Sequence, residues 1–132
     1  MYVFFYEKAT NILNSSGVLG FITPNTFVDY SQFKSLRRFL LRNNEINEVI
    51  KLVDVFEDAI VDTAIIILTK DKIQGNSFKG INYKKHITNL ENFNIPNVDS
   101  KNLNEDLFLL NDNSKFDLYT FLKKYDFKLN DF

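Results

Sequence analysis

Two apolar runs lie almost back to back in this chain, and their spacing constrains the fold more than any other feature. INEVIKLV, residues 46–53, and VDTAIIIL, residues 61–68, both read as strands rich in β-branched residues. Only residues 54–60 separate them. That is enough for a hairpin and too little for the helical crossover that a parallel pair needs. An earlier run, VLGFI at 18–22, suits a strand buried on both faces, and Pro24 ends it because proline cannot donate to a ladder.

Helical periodicity fills the gaps. Ser31 is a good N-cap for a helix running to about Arg42, with Phe33, Leu36, Leu40 and Leu41 as its apolar stripe. A strand, a helix and a second strand predict a right-handed parallel crossover. Residues 2–14 predict a first helix, with Phe5, Ala9, Ile12 and Leu13 on one face and Gly17 as its stop. The order to residue 70 is helix, strand, helix, strand, strand: one edge of a mixed α/β sheet. From Asp71 to about Asn113 the text turns polar and Asn-rich, and reads as a linker or loosely packed extension in which FKGINYK is one more candidate strand. Ser114 then opens a third helix, with Leu118, Phe121, Leu122 and Tyr125 as its apolar face.

Composition excludes several chemistries. The chain has 132 residues, 45% of them apolar and 25% charged, with a net charge of −1. That is a globular composition with no whole-chain electrostatic reason to bind nucleic acid or an anionic membrane. There is no cysteine, which rules out thiolate catalysis and cysteine–metal sites. His86 is the single histidine and lies in the Lys-rich YKKHI, where it reads as a surface residue, so a histidine metal cluster is excluded. The four glycines are isolated, so there is no phosphate or dinucleotide loop. No apolar run reaches the length of a membrane helix, and MYVFFYEKA lacks the basic start of a signal peptide; a cytoplasmic location is expected. No catalytic, cofactor-binding or metal-binding residue can be named from the residues alone.

Two features remain as candidates. Lys34, Arg37, Arg38 and Arg42 form a basic face with no acid between Tyr30 and Asn44. Such a face either touches DNA phosphates or is the solvated side of an amphipathic helix. Phe56 sits in DVFEDAIVD among Asp54, Glu57, Asp58 and Asp62. It is either a core plug at a hairpin tip or a platform for a flat ligand.

Taken in order, YVFFYEKATNILNSSGVLGFITPNTF, FKSLRRFLLRNNEINEVI and DVFEDAIVDTAIIILTK resemble the N6-adenine DNA methyltransferases of the TaqI-like type II restriction–modification group. The resemblance covers residues 2–70, with GVLGFITP, Gly17 to Pro24, in place of that family's strand-and-proline motif. It implies the C-terminal half of a Rossmann-like catalytic sheet, strands five to seven, with parallel strands and an antiparallel last strand. Residues 1–70 would be that half, 71–113 a mostly irregular extension, and 114–132 a helix leading to a target-recognition domain that lies elsewhere. The aromatic before the last strand, Phe56 here, would stack on the target adenine after it is flipped out of the duplex. The family's Asn-Pro-Pro-Tyr motif and its S-adenosylmethionine loop have no counterpart in this chain. The resemblance therefore implies a fragment, inactive alone, of an enzyme that uses S-adenosylmethionine, with no cofactor expected on the fragment. Its partners would be DNA, the N-terminal half of the methyltransferase, and a second copy of itself through the strand at Val18–Ile22; no membrane is expected. The competing reading is a small self-contained α/β module that binds DNA or protein.

Overall fold

The computed structural model describes residues 1–54, 58, 60–84 and 94–110. Two helices, α1 (Tyr2–Ile12) and α2 (Lys34–Asn43), pack with strands β1 (Val18–Pro24), β2 (Asn44–Val53), β3 (Thr63–Lys70), β4 (Ser77–Lys84) and β5 (Asn97–Asp99). The third helix expected from Ser114 lies outside the described residues, as do Phe56 and His86.

The hairpin forms as its spacing requires: β2 pairs antiparallel with β3, Ile50 opposite Ile65. β3 pairs antiparallel with β1 as well, Gly20 opposite Ile67. β1 and β2 are therefore parallel, as the helical crossover predicts, but they do not touch, because β3 lies between them. The full order is β1-β3-β2-β4-β5. This is the mixed α/β sheet expected from sequence.

The polar stretch after residue 70 contributes more to the sheet than a linker would. β4 runs parallel to β2, Ile81 opposite Ile50, and β5 returns antiparallel beside it. Phe78, Val98, Leu103, Phe108 and Leu110 join the same buried cluster as Phe27, Leu36 and Ile66. Phe78, Val98 and Leu103 stand between polar neighbours, so no periodic run announces them, whereas Phe108 and Leu110 lie in the apolar run LFLL.

The chain reaches β4 by passing around the start of β2. There Gln74 takes the place of a neighbouring strand. Its Oε1 accepts from the Ile46 N–H at 2.7 Å and its Nε2 donates to the Ile46 carbonyl at 2.9 Å. The register of β2 shifts just beyond, between Ile46 and Glu48, and a buried backbone there would otherwise lack partners.

The buried face of α1 differs from the predicted stripe. Tyr6, Ala9 and Thr10 are buried, whereas Phe5 and Ile12 are 60% and 77% exposed. Tyrosine displaces phenylalanine here because its hydroxyl has somewhere to go. Tyr6 Oη lies 2.9 Å from Thr23 Oγ1 and Tyr2 Oη 2.7 Å from Thr26 Oγ1, both at the end of β1. Tyr2 also stacks on Phe33, with ring centres 5.4 Å apart. In α2, Leu36 and Leu40 are buried as expected. Ser31 opens a 3-10 turn, Ser31–Phe33, and makes no side-chain cap, so α2 starts at Lys34.

One buried cation ties the layers together. Arg37 is fully buried, and its guanidinium donates to four carbonyls. Nη1 reaches Phe27 at 2.8 Å and Tyr30 at 2.9 Å, Nε reaches Glu105 at 2.8 Å, and Nη2 reaches Asp106 at 3.0 Å. Burial lowers its pKa from the usual arginine value, opposed by the charges of Asp29 and Asp106 and by Tyr2. The fork thereby joins the turn after β1 to the 103–110 segment, which also donates from Phe108 N to the Val28 carbonyl at 2.9 Å. Arg37→Ala leaves four acceptors unpaired and should cost about 3–5 kcal/mol in urea unfolding. Arg37→Lys keeps the charge but not the fork, and should still cost about 2 kcal/mol. A shift of less than about 1 kcal/mol for both would contradict this role.

Candidate functional site

The parallel strands β1 and β2 end at the same rim of the sheet. Thr63 lies opposite both Pro24 and Leu52, so the two carboxyl ends flank the first residue of β3. In open α/β sheets the carboxyl ends of parallel strands are where ligands bind. Two segments build this rim: the turn after β1, residues 25–33, and the connection from β2 to β3.

Asp62 holds these segments together. Its carbonyl accepts from Asn25 N–H at 3.0 Å, and its Oδ1 accepts from Asp54 N–H at 3.1 Å. Asp54 has φ of 55°, the left-handed region that Asp and Asn tolerate better than most residues. Two of the four acids around Phe56 thus act locally. They fasten the two legs of the connection and moor it to the exit of β1. Phe56 itself lies outside the described residues.

Deeper on the helix side, Lys51 Nζ meets Asp29 Oδ2 at 2.7 Å beside a cavity of about 60 Å³ lined by Val28, Asn82, Phe108 and Leu110 among others. That volume suits one or two waters and is far below the several hundred Å³ of a site for a small organic ligand.

The basic face of α2 divides into three fates. Arg37 is sealed in the core by its four carbonyls, which corrects the expectation that it reaches a phosphate. Lys34 and Arg38 are on the surface but paired: Lys34 Nζ lies 2.7 Å from Asp106 Oδ1, and Arg38 Nε 2.7 Å from Glu105 Oε2. Arg42 is exposed at the far end of α2, where the helix runs into β2. The structure therefore does not gather the four cations into one patch. Their partners Glu105 and Asp106 come from 67 or more residues away, and no spacing signal in the sequence could have paired them.

Among the described residues no group of acidic or histidine side chains could hold a metal ion. None of the glycines forms a nucleotide cradle. A Cβ at Gly17 would meet the Asn14 carbonyl and one at Gly80 the Phe78 ring, while Gly20 faces open space. No helix among the described residues is long and apolar enough to cross a membrane.

Residues 1–56 match the family described as the Eco57I restriction-modification methylase. The matched span ends on Phe56. The chain is 27% identical over 113 residues to the type II restriction enzyme and methyltransferase RM.Eco57I of Escherichia coli, covering 83% of this chain and 11% of that protein. It is 37% identical over 71 residues to RM.MjaORFECS2P of Methanocaldococcus jannaschii, assigned the same two activities, covering 53% of this chain and 6% of that protein. In structure it resembles the type IIG restriction endonuclease BpuSI, with a TM-score of 0.62 and 12% identity over 92% of this chain and 17% of that one. It also resembles a class I S-adenosylmethionine-dependent methyltransferase of Listeria monocytogenes, with a TM-score of 0.51 and 19% identity over 96% of this chain and 33% of that one. The chain is thus related over part of its length to restriction–modification methyltransferases, and its sheet is of the class I methyltransferase kind. It spans about a tenth or less of the curated relatives it matches.

The ion pairs at the start of α2 carry a pH signature. The hydrogen bond from Arg38 is the largest effect holding the Glu105 carboxyl at about 2, with the charges of Arg38 and Lys34 adding to it against partial desolvation. A carboxyl depressed in the folded state stabilises the fold fully above its ordinary value of 4.5 and loses that contribution as pH falls towards 2. Glu105→Gln should therefore lower the urea midpoint at neutral pH, with the gap closing between pH 4.5 and 2. A gap independent of pH would show that the carboxylate pairing does not matter.

Proposed function

We propose that this chain is the C-terminal half of the catalytic domain of a site-specific DNA adenine-N6 methyltransferase in a restriction–modification system. It would supply the target-base side of the pocket. The observation that carries this reading is the rim itself. The family match runs to Phe56, and Asp54 and Asp62 moor the connection bearing Phe56 beside the carboxyl ends of β1 and β2. An adenine rotated out of a duplex loses its stacking partners, and a phenyl face at this rim restores roughly 1–3 kcal/mol of that loss.

S-adenosylmethionine would be bound by the part of the enzyme that this chain does not supply. When bound there it donates a methyl group, and this chain holds the acceptor base in line. DNA is then a partner of the assembled enzyme. The test is to mix the chain with a separately expressed N-terminal half carrying Asn-Pro-Pro-Tyr and to assay methyl transfer to adenine. The mixture should be active, the chain alone inactive, and Phe56→Ala should cut the rate about tenfold or more. A full rate from Phe56→Ala would remove the ring from the mechanism, and methylation by the chain alone would end the two-half reading.

When that half is absent, we propose that β1 pairs with β1 of a second copy. β1 is the outer strand of the sheet and carries no ionisable residue between Val18 and Pro24. The bonds from Lys70 N to the Gly17 carbonyl and from Asn25 N to the Asp62 carbonyl fix the parity, so Val18, Gly20 and Ile22 direct their N–H and C=O groups away from β3. An antiparallel pair centred on Gly20 would satisfy all of these groups and set Val18 against Ile22 of the second copy. Those two side chains are 63% and 58% exposed. Natural edges usually carry charge to prevent such pairing. Light scattering after size exclusion should show a dimer, and Ile22→Lys should give a monomer; a clean monomer of the unaltered chain would refute it.

A further inference from the structure

Both described α-helices pack on one face of the sheet. Tyr6 of α1 and Leu36 and Leu40 of α2 share a buried cluster with Ala64, Ile66 and Leu68 of β3 and Val49 of β2. Side chains alternate along a strand, so Ile65 and Ile67 point the other way. The register carries that second face across the sheet. Ile22 and Gly20 of β1 lie opposite Ile65 and Ile67, and Ile50 of β2 lies opposite both Ile65 and Ile81. On β2, between two strands, Ile50 and Leu52 are 8% and 5% exposed. Towards β1 the cover thins. Ile65 and Ile67 are partly buried, and Val18 and Ile22 are 63% and 58% exposed. Gly20 stands in the middle of this strip, and a Cβ there would meet nothing within 4 Å.

An antiparallel pair with one face in water alternates apolar and polar side chains. β1 and β3 do not: VLGFI and AIIIL hold no polar side chain on either face. A strip of that kind is built to be covered, and a glycine inside a strand marks a place where another backbone comes close. The second layer of an α/β sheet is helical. This chain spans 11% of its Escherichia coli relative, so most of that protein lies outside the matched span. The strip is also continuous with the outer edge of β1, so one partner can occupy both. We infer that Val18, Gly20, Ile22, Ile65 and Ile67 seat an amphipathic helix of the N-terminal half, laid across β1 and β3 with its closest approach at Gly20. This rests on the reading above that the rest of the catalytic domain is supplied by that half.

The test labels the isoleucine δ1 methyls of the full chain with ¹³C. It reads their broadening by a soluble gadolinium chelate before and after adding the separately expressed N-terminal half that carries Asn-Pro-Pro-Tyr. In the free chain Ile65 and Ile67 should broaden more than Ile46 and Ile66, which face the helices. The N-terminal half should protect Ile65 and Ile67, and Ile67→Lys should weaken its binding roughly tenfold or more. If that half binds and methyl transfer returns while Ile65 and Ile67 stay broadened, the strip is not the seat, although the two-half reading stands. If it does not bind at all, both fall. Protection of Ile65 and Ile67 in the free chain at every dilution would assign the cover to the chain's own residues, and protection lost on dilution would assign it to a second copy; either overturns the proposal. The methyl measurement needs no variant, so it decides even where Ile67→Lys loses its fold.

Discussion

The central constraint on this molecule is the shortness of the connection between β2 and β3. Because β3 must turn straight back, it lies antiparallel along one edge of β2 and takes the place that β1 would otherwise fill. Two parallel strands are then held apart by one antiparallel strand, and Thr63 sits between their carboxyl ends. The rim follows from this arrangement. So does the nearness of the turn after β1 to the connection with Phe56, since Asn25 and Asp62 form the next rung of the β1–β3 ladder.

Around that sheet the polar groups are arranged to hold turns rather than to do chemistry. Arg37 binds four carbonyls from two segments, Gln74 stands in for a strand beside Ile46, and Asp62 clasps the foot of a loop. Each replaces a backbone partner that irregular chain cannot supply, which is why the turns can be buried without losing hydrogen bonds.

The order of elements along the chain, the crossover and the hairpin were legible in the sequence because they depend on local quantities: run length, β-branched content and spacing. The buried stripe of α2 was legible for the same reason. The face of α1 was not. Phe5 and Ile12 fit a helical period as well as Tyr2 and Tyr6 do, and hydroxyl partners at Thr23 and Thr26 decide between them. β4 was legible as the candidate strand FKGINYK, whereas β5 was hard to see because Val98 stands alone among polar residues and is buried by its pairing with β4 and by the shared core. Arg37 could not be told from Arg38 or Arg42 by composition, because burial depends on residues 105–106 folding back onto α2.

The sequence by itself determined the class of fold, the antiparallel turn-back before residue 63 and the family resemblance, because pattern and loop length act over a few residues. Only the tertiary structure decided which cation is internal and which aromatic of α1 is buried. Those outcomes depend on which distant carbonyls and carboxylates arrive as partners, and a buried polar group is stable only where they do.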